Sequence, residues 1–174
     1  IDATLLPLET ALENRPEIQR LHTRYQLGGN SNPREVERAG VLVRPAIHTR
    51  FEHTKLQAEL TKAVAAHLNL PVEKAKIMVA AAWLHDCAHC AFSHTGDNVL
   101  MEMGRPDHEG RAIELVRGPL HETLETNGVG EEVEEIMAEH GAAGTLQSIF
   151  DTFSYLILDL ESVNIEFIDD GGVS

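Results

Sequence analysis

Apolar residues recur along this chain mostly at three- and four-residue intervals, the spacing of one face of an α-helix. Leu12, Ile18 and Leu21 predict a first helix over 9–25, and Leu27-Gly28-Gly29-Asn30-Ser31-Asn32-Pro33 ends it with strong turn chemistry. After a loop, Leu56, Leu60, Val64 and Leu68 predict a helix over 51–68. Pro71 suits the first turn of the next helix, because its missing N–H would have no intrahelical partner there. That helix, about 71–86, is apolar on most sides through Ile77, Ala80, Ala81 and Leu84, so it is expected at the centre. Cys87 to Ser93 reads as a turn, and Gly104-Arg105-Pro106 ends a short helix. Further helices are expected over 107–117, 119–126 and 131–140, separated by Gly118-Pro119 and Asn127-Gly128-Val129-Gly130. A last long helix over 145–163 turns Ile149, Phe153, Leu156, Leu160 and Val163 inward. The stretch Ile165-Glu166-Phe167-Ile168 fits either a short strand or a trailing tail. The expected fold class is all-α: a single compact helical domain over 1–174, with its core at about 9–163.

Composition narrows the function. The chain has 174 residues, too few for two comfortable domains, and its apolar share of 43% is ordinary for a globular protein. No apolar run approaches the roughly 18–20 residues that span a bilayer, and no signal-peptide pattern opens the chain, so the cytoplasm is the expected location and no membrane partner is expected. Cys87 and Cys90 lie within one turn of each other and cannot frame a disulfide scaffold, which fits a reducing compartment. The net charge of −14 argues against binding a nucleic-acid backbone, which needs a basic patch. An acidic protein that handles phosphate esters must reverse its local field, and a metal dication with a few arginines does that.

The ten histidines matter through their clustering. His85 and Asp86 end a nearly all-apolar helix, where an unpaired carboxylate would be costly to bury. A divalent metal is one partner for it, with imidazole nitrogen and carboxylate oxygen suited to Mn, Fe, Co, Ni or Zn. Taken alone, the dipeptide fits a helix-end His with a capping Asp at least as well. Around it stand His89, His94, Asp97 and His108, with Arg50-Phe51-Glu52-His53 one helix earlier. Downstream, Asp151, Tyr155 and Asp159 repeat every four residues and share one helical face.

The order His…His-Asp…Asp resembles the HD superfamily of metal-dependent phosphohydrolases, and within it the deoxynucleoside triphosphate triphosphohydrolases. The resemblance runs from about residue 9 to about 160 and rests on six segments in order. Pro16-Glu17-Ile18-Gln19-Arg20-Leu21 is followed by Gln26-Leu27-Gly28-Gly29, and then by His48-Thr49-Arg50-Phe51-Glu52-His53. After these come the run His85-Asp86-Cys87-Ala88-His89-Cys90-Ala91-Phe92-Ser93-His94, the pair His108-Glu109, and Asp151-Thr152-Phe153-Ser154-Tyr155 with Asp159.

The resemblance implies that His53, His85, Asp86 and Asp151 bind one divalent transition metal, with Mg accompanying the nucleotide as a compatible addition. His89, His94, Asp97 and His108 would line the reacting phosphate. Arg50 and Tyr155 would contact phosphate oxygens, Gln26 and Asp159 the sugar 3′-hydroxyl, and Leu27 the sugar face where a 2′-hydroxyl is unwelcome. His94 would act as the acid, oriented by Asp97, since imidazole is the side chain best suited to proton transfer near neutral pH. The implied reaction cleaves a dNTP into deoxynucleoside and triphosphate. Thr152 stands where the family usually has Lys, Leu158 where it has Arg, and Ala88 where it has Gly, which thins the phosphate clamp. A homo-oligomer in which a neighbour supplies clamp residues is compatible with this. The alternatives are an HD phosphatase acting on nucleoside monophosphates or other small phosphoesters, a nucleotide-sensing module without turnover, and a two-iron oxygenase using His89 and His108. Cys87-Ala88-His89-Cys90 also invites a zinc reading, but no second cysteine pair exists to complete it.

Overall fold

In a computed structural model of the protein, the described residues are 2–25, 36–38, 41–43, 48–138, 149 and 165–167. They form a helical frame. Helix α1 spans Asp2–Glu13 and α2 Pro16–Gln19, continued by a 3₁₀ turn at Arg20–Thr23. Strands β1 (Val36–Arg38) and β2 (Val41–Val43) precede the long α3 (Arg50–His67) and α4 (Val72–Leu84). Four shorter helices follow: α5 (Ser93–Glu102), α6 (His108–Arg117), α7 (His121–Thr126) and α8 (Gly130–Ala138). Strand β3 is Ile165–Phe167. Among the described residues no helix is long and apolar enough to cross a membrane.

Helix α4 is central, as its all-round apolar character predicts. Ala80, Ala81, Ala82, Trp83 and Leu84 are all buried in succession, which a helix achieves only with neighbours on every side. It packs against α3, α1 and α8. Its alanines let those neighbours approach closely, and Trp83 and Leu84 fill the space at its C-terminal end. Leu5, Leu8 and Leu12 of α1, Val116 of α6, Leu124 of α7 and Val133 of α8 join the same buried apolar cluster. The helix therefore delivers its last residues, and His85-Asp86 just beyond them, into the middle of the domain.

Three sequence expectations need correction. The helix predicted over 9–25 is instead α1, ending at Glu13, followed by α2 and the 3₁₀ turn. Pro16 is the cause: Arg15 before it is held extended, at φ −71° and ψ 137°, and Pro16 begins a new helix at its first position. On α3, the leucine stripe is not the buried face. Leu56 and Leu60 are only half-buried and Leu68 is exposed, whereas His53, Thr54, Gln57, Ala58, Thr61 and Ala65 are buried. The side of α3 turned inward is polar at its N-terminal half, where the candidate site lies. The third correction is a sheet inside the expected loop. Val36, Glu37 and Arg38 pair antiparallel with Val43, Leu42 and Val41, and β2 pairs antiparallel with β3, Val41 opposite Phe167. The strand alternative is thus the one adopted at 165–167, while the strands at 36–38 and 41–43 follow strong turn residues in the sequence that masked their β-branched positions. The last predicted helix, 145–163, lies outside the described residues except for Ile149, which is helical.

Candidate metal centre and its histidine neighbours

Two local devices aim the first group of side chains. At the start of α3, the Thr49 hydroxyl accepts from the Glu52 N–H at 3.2 Å, and the Thr49 N–H donates to Glu52 Oε2 at 2.6 Å. This reciprocal cap fixes the first turn, and with it Arg50 and His53. The Arg50 N–H also donates to the Arg24 carbonyl at 2.7 Å, tying α3 to the 3₁₀ segment. At the end of α4, His85 occupies the C-cap with helical dihedrals, and Asp86 opens a turn closed by the His89 N–H on the Asp86 carbonyl at 3.0 Å.

His53, His85 and Asp86 converge. Their nearest ligand atoms all lie within 4.8 Å of one another. The two Nε2 atoms of His53 and His85 are 3.4 Å apart, and Asp86 sits 3.6 Å from His53 Nε2 and 3.5 Å from His85 Nε2. His85 Nδ1 donates to the Ala82 carbonyl at 2.8 Å, which fixes the tautomer with its Nε2 lone pair facing the group. Two imidazole nitrogens and a carboxylate, one of them oriented by a backbone carbonyl, suit a divalent transition metal. The residues present fit such an ion. Asp151, the expected fourth ligand, lies outside the described residues.

Burial pushes the Asp86 carboxyl up, but His85, the hydrogen bond from His89 and the Arg50 guanidinium outweigh it and hold it well below the usual carboxylate range. The Arg50–Asp86 contact is a buried ion pair, with the arginine 2% exposed. Arg50, expected at phosphate oxygens, is thus engaged with the metal-group carboxylate. The physical reason is desolvation: a buried carboxylate draws the nearest permanent cation, and the α3 cap delivers Arg50 to it.

A second group stands beside the first. His89 Nε2 lies 3.2 Å from Asp86 Oδ1 and links the two. Its ring stacks on His108 with centroids 3.9 Å apart and an 18° tilt, while His94 meets both rings edge-on at 5.0 and 5.1 Å. Asp97 is the hub of the group. Its Oδ2 accepts from His108 Nδ1 at 2.7 Å, and Nδ1 of His89 and of His94 are each 3.8 Å away. Asp97 Oδ1 accepts from Arg111 Nη2 at 2.6 Å. Burial opposes the ionised form of Asp97, and Arg111 and His108 prevail, lowering its pKa. Burial also lowers His89, against the pull of Asp86, to about 4, so His89 is neutral at pH 7. Arg50 is a permanent positive charge beside Asp86 and acts there together with His85 and the hydrogen bond from His89.

The structure therefore brings His53, His85, Asp86, His89, His94, Asp97 and His108 together, as the sequence motifs group them. The imidazole oriented by Asp97 is His108 rather than His94. Gln26, Leu27, Tyr155 and Asp159 lie outside the described residues. The metal-capable groups among the described residues contain no cysteine, and burial chiefly, with Asp86 nearby, pushes the Cys87 thiol up to about 12 against the opposing charge of Arg20. Sequence reasoning missed two arginines. Arg20 donates to the His89 carbonyl at 2.7 Å, and Arg111 to the Ala88 carbonyl at 3.2 Å, so consecutive carbonyls of the turn after Asp86 each receive a guanidinium. The available signal for Arg111 was its position three residues after His108, on the same helical face.

A family model described as "HD domain" matches residues 50–155. A "Deoxyguanosinetriphosphate triphosphohydrolase-like protein" of Roseobacter denitrificans is 36% identical over 72 residues, covering 39% of this chain and 18% of that protein. A protein of the same name from Sinorhizobium medicae is 35% identical over 72 residues, covering 39% of this chain and 17% of that protein. The chain thus spans less than a fifth of the length of these curated relatives.

Proposed function

The chain belongs to the HD domain family of metal-dependent phosphohydrolases, and from that premise we propose that it hydrolyses deoxynucleoside triphosphates to deoxynucleoside and triphosphate. The observation that carries the reading is the convergence of His53, His85 and Asp86 within 4.8 Å beside a second His-Asp group that borders solvent. The relatives' names support a nucleoside triphosphate as the substrate class. We assign the ion to His53, His85, Asp86 and Asp151, within a single domain. A divalent ion there supplies Lewis acidity toward a phosphoryl oxygen and acidifies the attacking water.

The chain's own residues do the rest. Arg50 pairs with Asp86 and, with His85 and the hydrogen bond from His89, favours its ionised form. His89, neutral and buried, donates from Nε2 to Asp86 and holds its carboxylate toward the imidazoles. His94 has a side chain 70% exposed, whereas His89 is 1% exposed, so His94 is the imidazole on the open side and we assign it the proton given to the leaving oxygen. Asp97 and His108 line the phosphate next to it. Gln26, Leu27, Tyr155 and Asp159 are assigned to the nucleotide, with Leu27 against C2′. Burying a 2′-hydroxyl there without a partner costs roughly 1–3 kcal/mol, which favours dNTP over NTP by about ten- to a hundredfold.

A second reading, an HD phosphatase for a nucleoside monophosphate, is favoured by Thr152 and Leu158, which stand where the triphosphohydrolases carry Lys and Arg. One experiment separates the two. The Mn²⁺-loaded protein is incubated with dNTP, NTP and dNMP panels and the products are resolved by ion exchange. Deoxynucleoside with intact triphosphate supports the proposal. Orthophosphate released from dNMP alone supports the phosphatase.

A further inference from the structure

We propose that Arg111 is the positioning residue of the second histidine group: it fixes Asp97, and through Asp97 the tautomer and ring direction of His108. The Arg111 guanidinium reaches three segments at once. It donates to Asp97 Oδ1 on α5 at 2.6 Å, to the Pro106 carbonyl at 2.6 Å, and to the Ala88 carbonyl at 3.2 Å. Those segments deliver the group: the turn after Asp86 carries His89, α5 carries His94 and Asp97, and the loop at Pro106 leads into His108. A planar guanidinium with five donors can bridge them, whereas a lysine ammonium offers a point charge with shorter reach.

The division of Asp97 is what makes this more than a brace. With Oδ1 held by Arg111, Oδ2 is left for His108 Nδ1 at 2.7 Å. An imidazole nitrogen at that distance from an ionised carboxylate carries its proton, so His108 presents Nε2 as the acceptor on its other side. One competing nitrogen, Nδ1 of His94, waits 3.8 Å from the same oxygen, whereas Nδ1 of the neutral His89, whose proton sits on Nε2 toward Asp86, has none to offer. A carboxylate released from Arg111 can turn toward His94, and His108 then loses the contact that selects its tautomer.

The test reads the tautomer directly. Protein ¹⁵N-labelled at histidine is loaded with Zn²⁺, and long-range ¹H–¹⁵N spectra are recorded for the parent, Arg111→Met and Arg111→Lys, with His108 identified by its loss in His108→Gln. The parent is expected to show His108 protonated at Nδ1. Arg111→Met is expected to move its two nitrogen shifts to those of a mixed population, and Arg111→Lys to move them partway. In whichever variant circular dichroism shows to be folded, unchanged His108 shifts overturn the proposal. A kinetic arm rests on the hydrolase reading: kcat on the accepted phosphoester falls roughly 10- to 100-fold in Arg111→Met while KM stays within about twofold, and an unchanged kcat also counts against the proposal. If the parent itself turns over no phosphoester, the hydrolase reading fails while the spectra still decide the role of Arg111.

Discussion

His53, His85 and Asp86 lie at the buried ends of α3 and α4, whereas His94, on the first turn of α5, stands open to solvent. The first group has side chains 0%, 18% and 5% exposed, and the Arg50 guanidinium paired with Asp86 is buried with it. The second shares the buried Asp97 and His89 but opens outward through His94, 70% exposed. Similar residue types thus stand in two settings, and the proposed function gives them different work. Both groups place their ligand atoms within 4.8 Å of one another, and what sets the second apart is one solvent-exposed imidazole, His94, which suits it to moving protons and meeting a phosphate.

The sharpest way to break this division is at its closed end. Asp86→Ala removes a proposed ligand together with the carboxylate side of the buried Arg50–Asp86 ion pair, so bound metal and turnover are expected to vanish together, with a lower melting temperature in the presence of metal. Full metal occupancy by elemental analysis in that variant would refute the assignment. At the open end, His94→Ala is expected to keep its metal and lose about 10²–10⁴ in kcat. A parent-like rate would move the proton to His108, the imidazole that Asp97 holds at 2.7 Å.

Gly96 tests how the two groups are joined. A Cβ there would come 2.4 Å from the Ala91 carbonyl oxygen and 2.4 Å from Cys90 Sγ, and the backbone oxygen cannot step aside. Gly96→Ala therefore pushes α5 off the turn after Asp86, at a cost of about 1–3 kcal/mol measurable by thermal melting. A variant as stable as the parent would show that the contact gives way freely. The smallest effect concerns acid. His89 is held neutral down to about 4, from an ordinary value of 6.5. Between those values the unfolded chain binds a proton that the folded chain refuses, so stability is full above pH 6.5 and is lost as pH falls toward 4. In chelator-treated protein, His89→Gln should lose less stability than the parent over that window; equal slopes in urea titrations would contradict it.

The buried frame was legible in the sequence because α4 is apolar on every side and the Pro and Gly stops are strong. The grouping of His53, His85, Asp86, His89, His94, Asp97 and His108 was legible through motif order. Spacing misled on α3, where leucines four apart mark a flank and the buried face carries His53, Thr54, Gln57 and Thr61, since a helix wall of a site is chosen by chemistry as well as by hydropathy. Pairwise roles were not legible. That Asp97 takes His108, and that Arg50 takes Asp86, depends on distances across helices that no one-dimensional pattern encodes. Arg111 was missed for the same reason: two of its three acceptors are backbone carbonyls, which leave no residue signature.

The division of labour between the two groups is tested most directly by counting metal. Elemental analysis after Mn²⁺ loading is compared for the parent, Asp86→Asn and Asp97→Asn, each checked for folding by circular dichroism. One ion per chain in the parent, none in Asp86→Asn and one in Asp97→Asn is the predicted result. Two ions per chain in the parent, or an Asp97→Asn variant that is folded and empty, would contradict the account by making the second group a metal site as well.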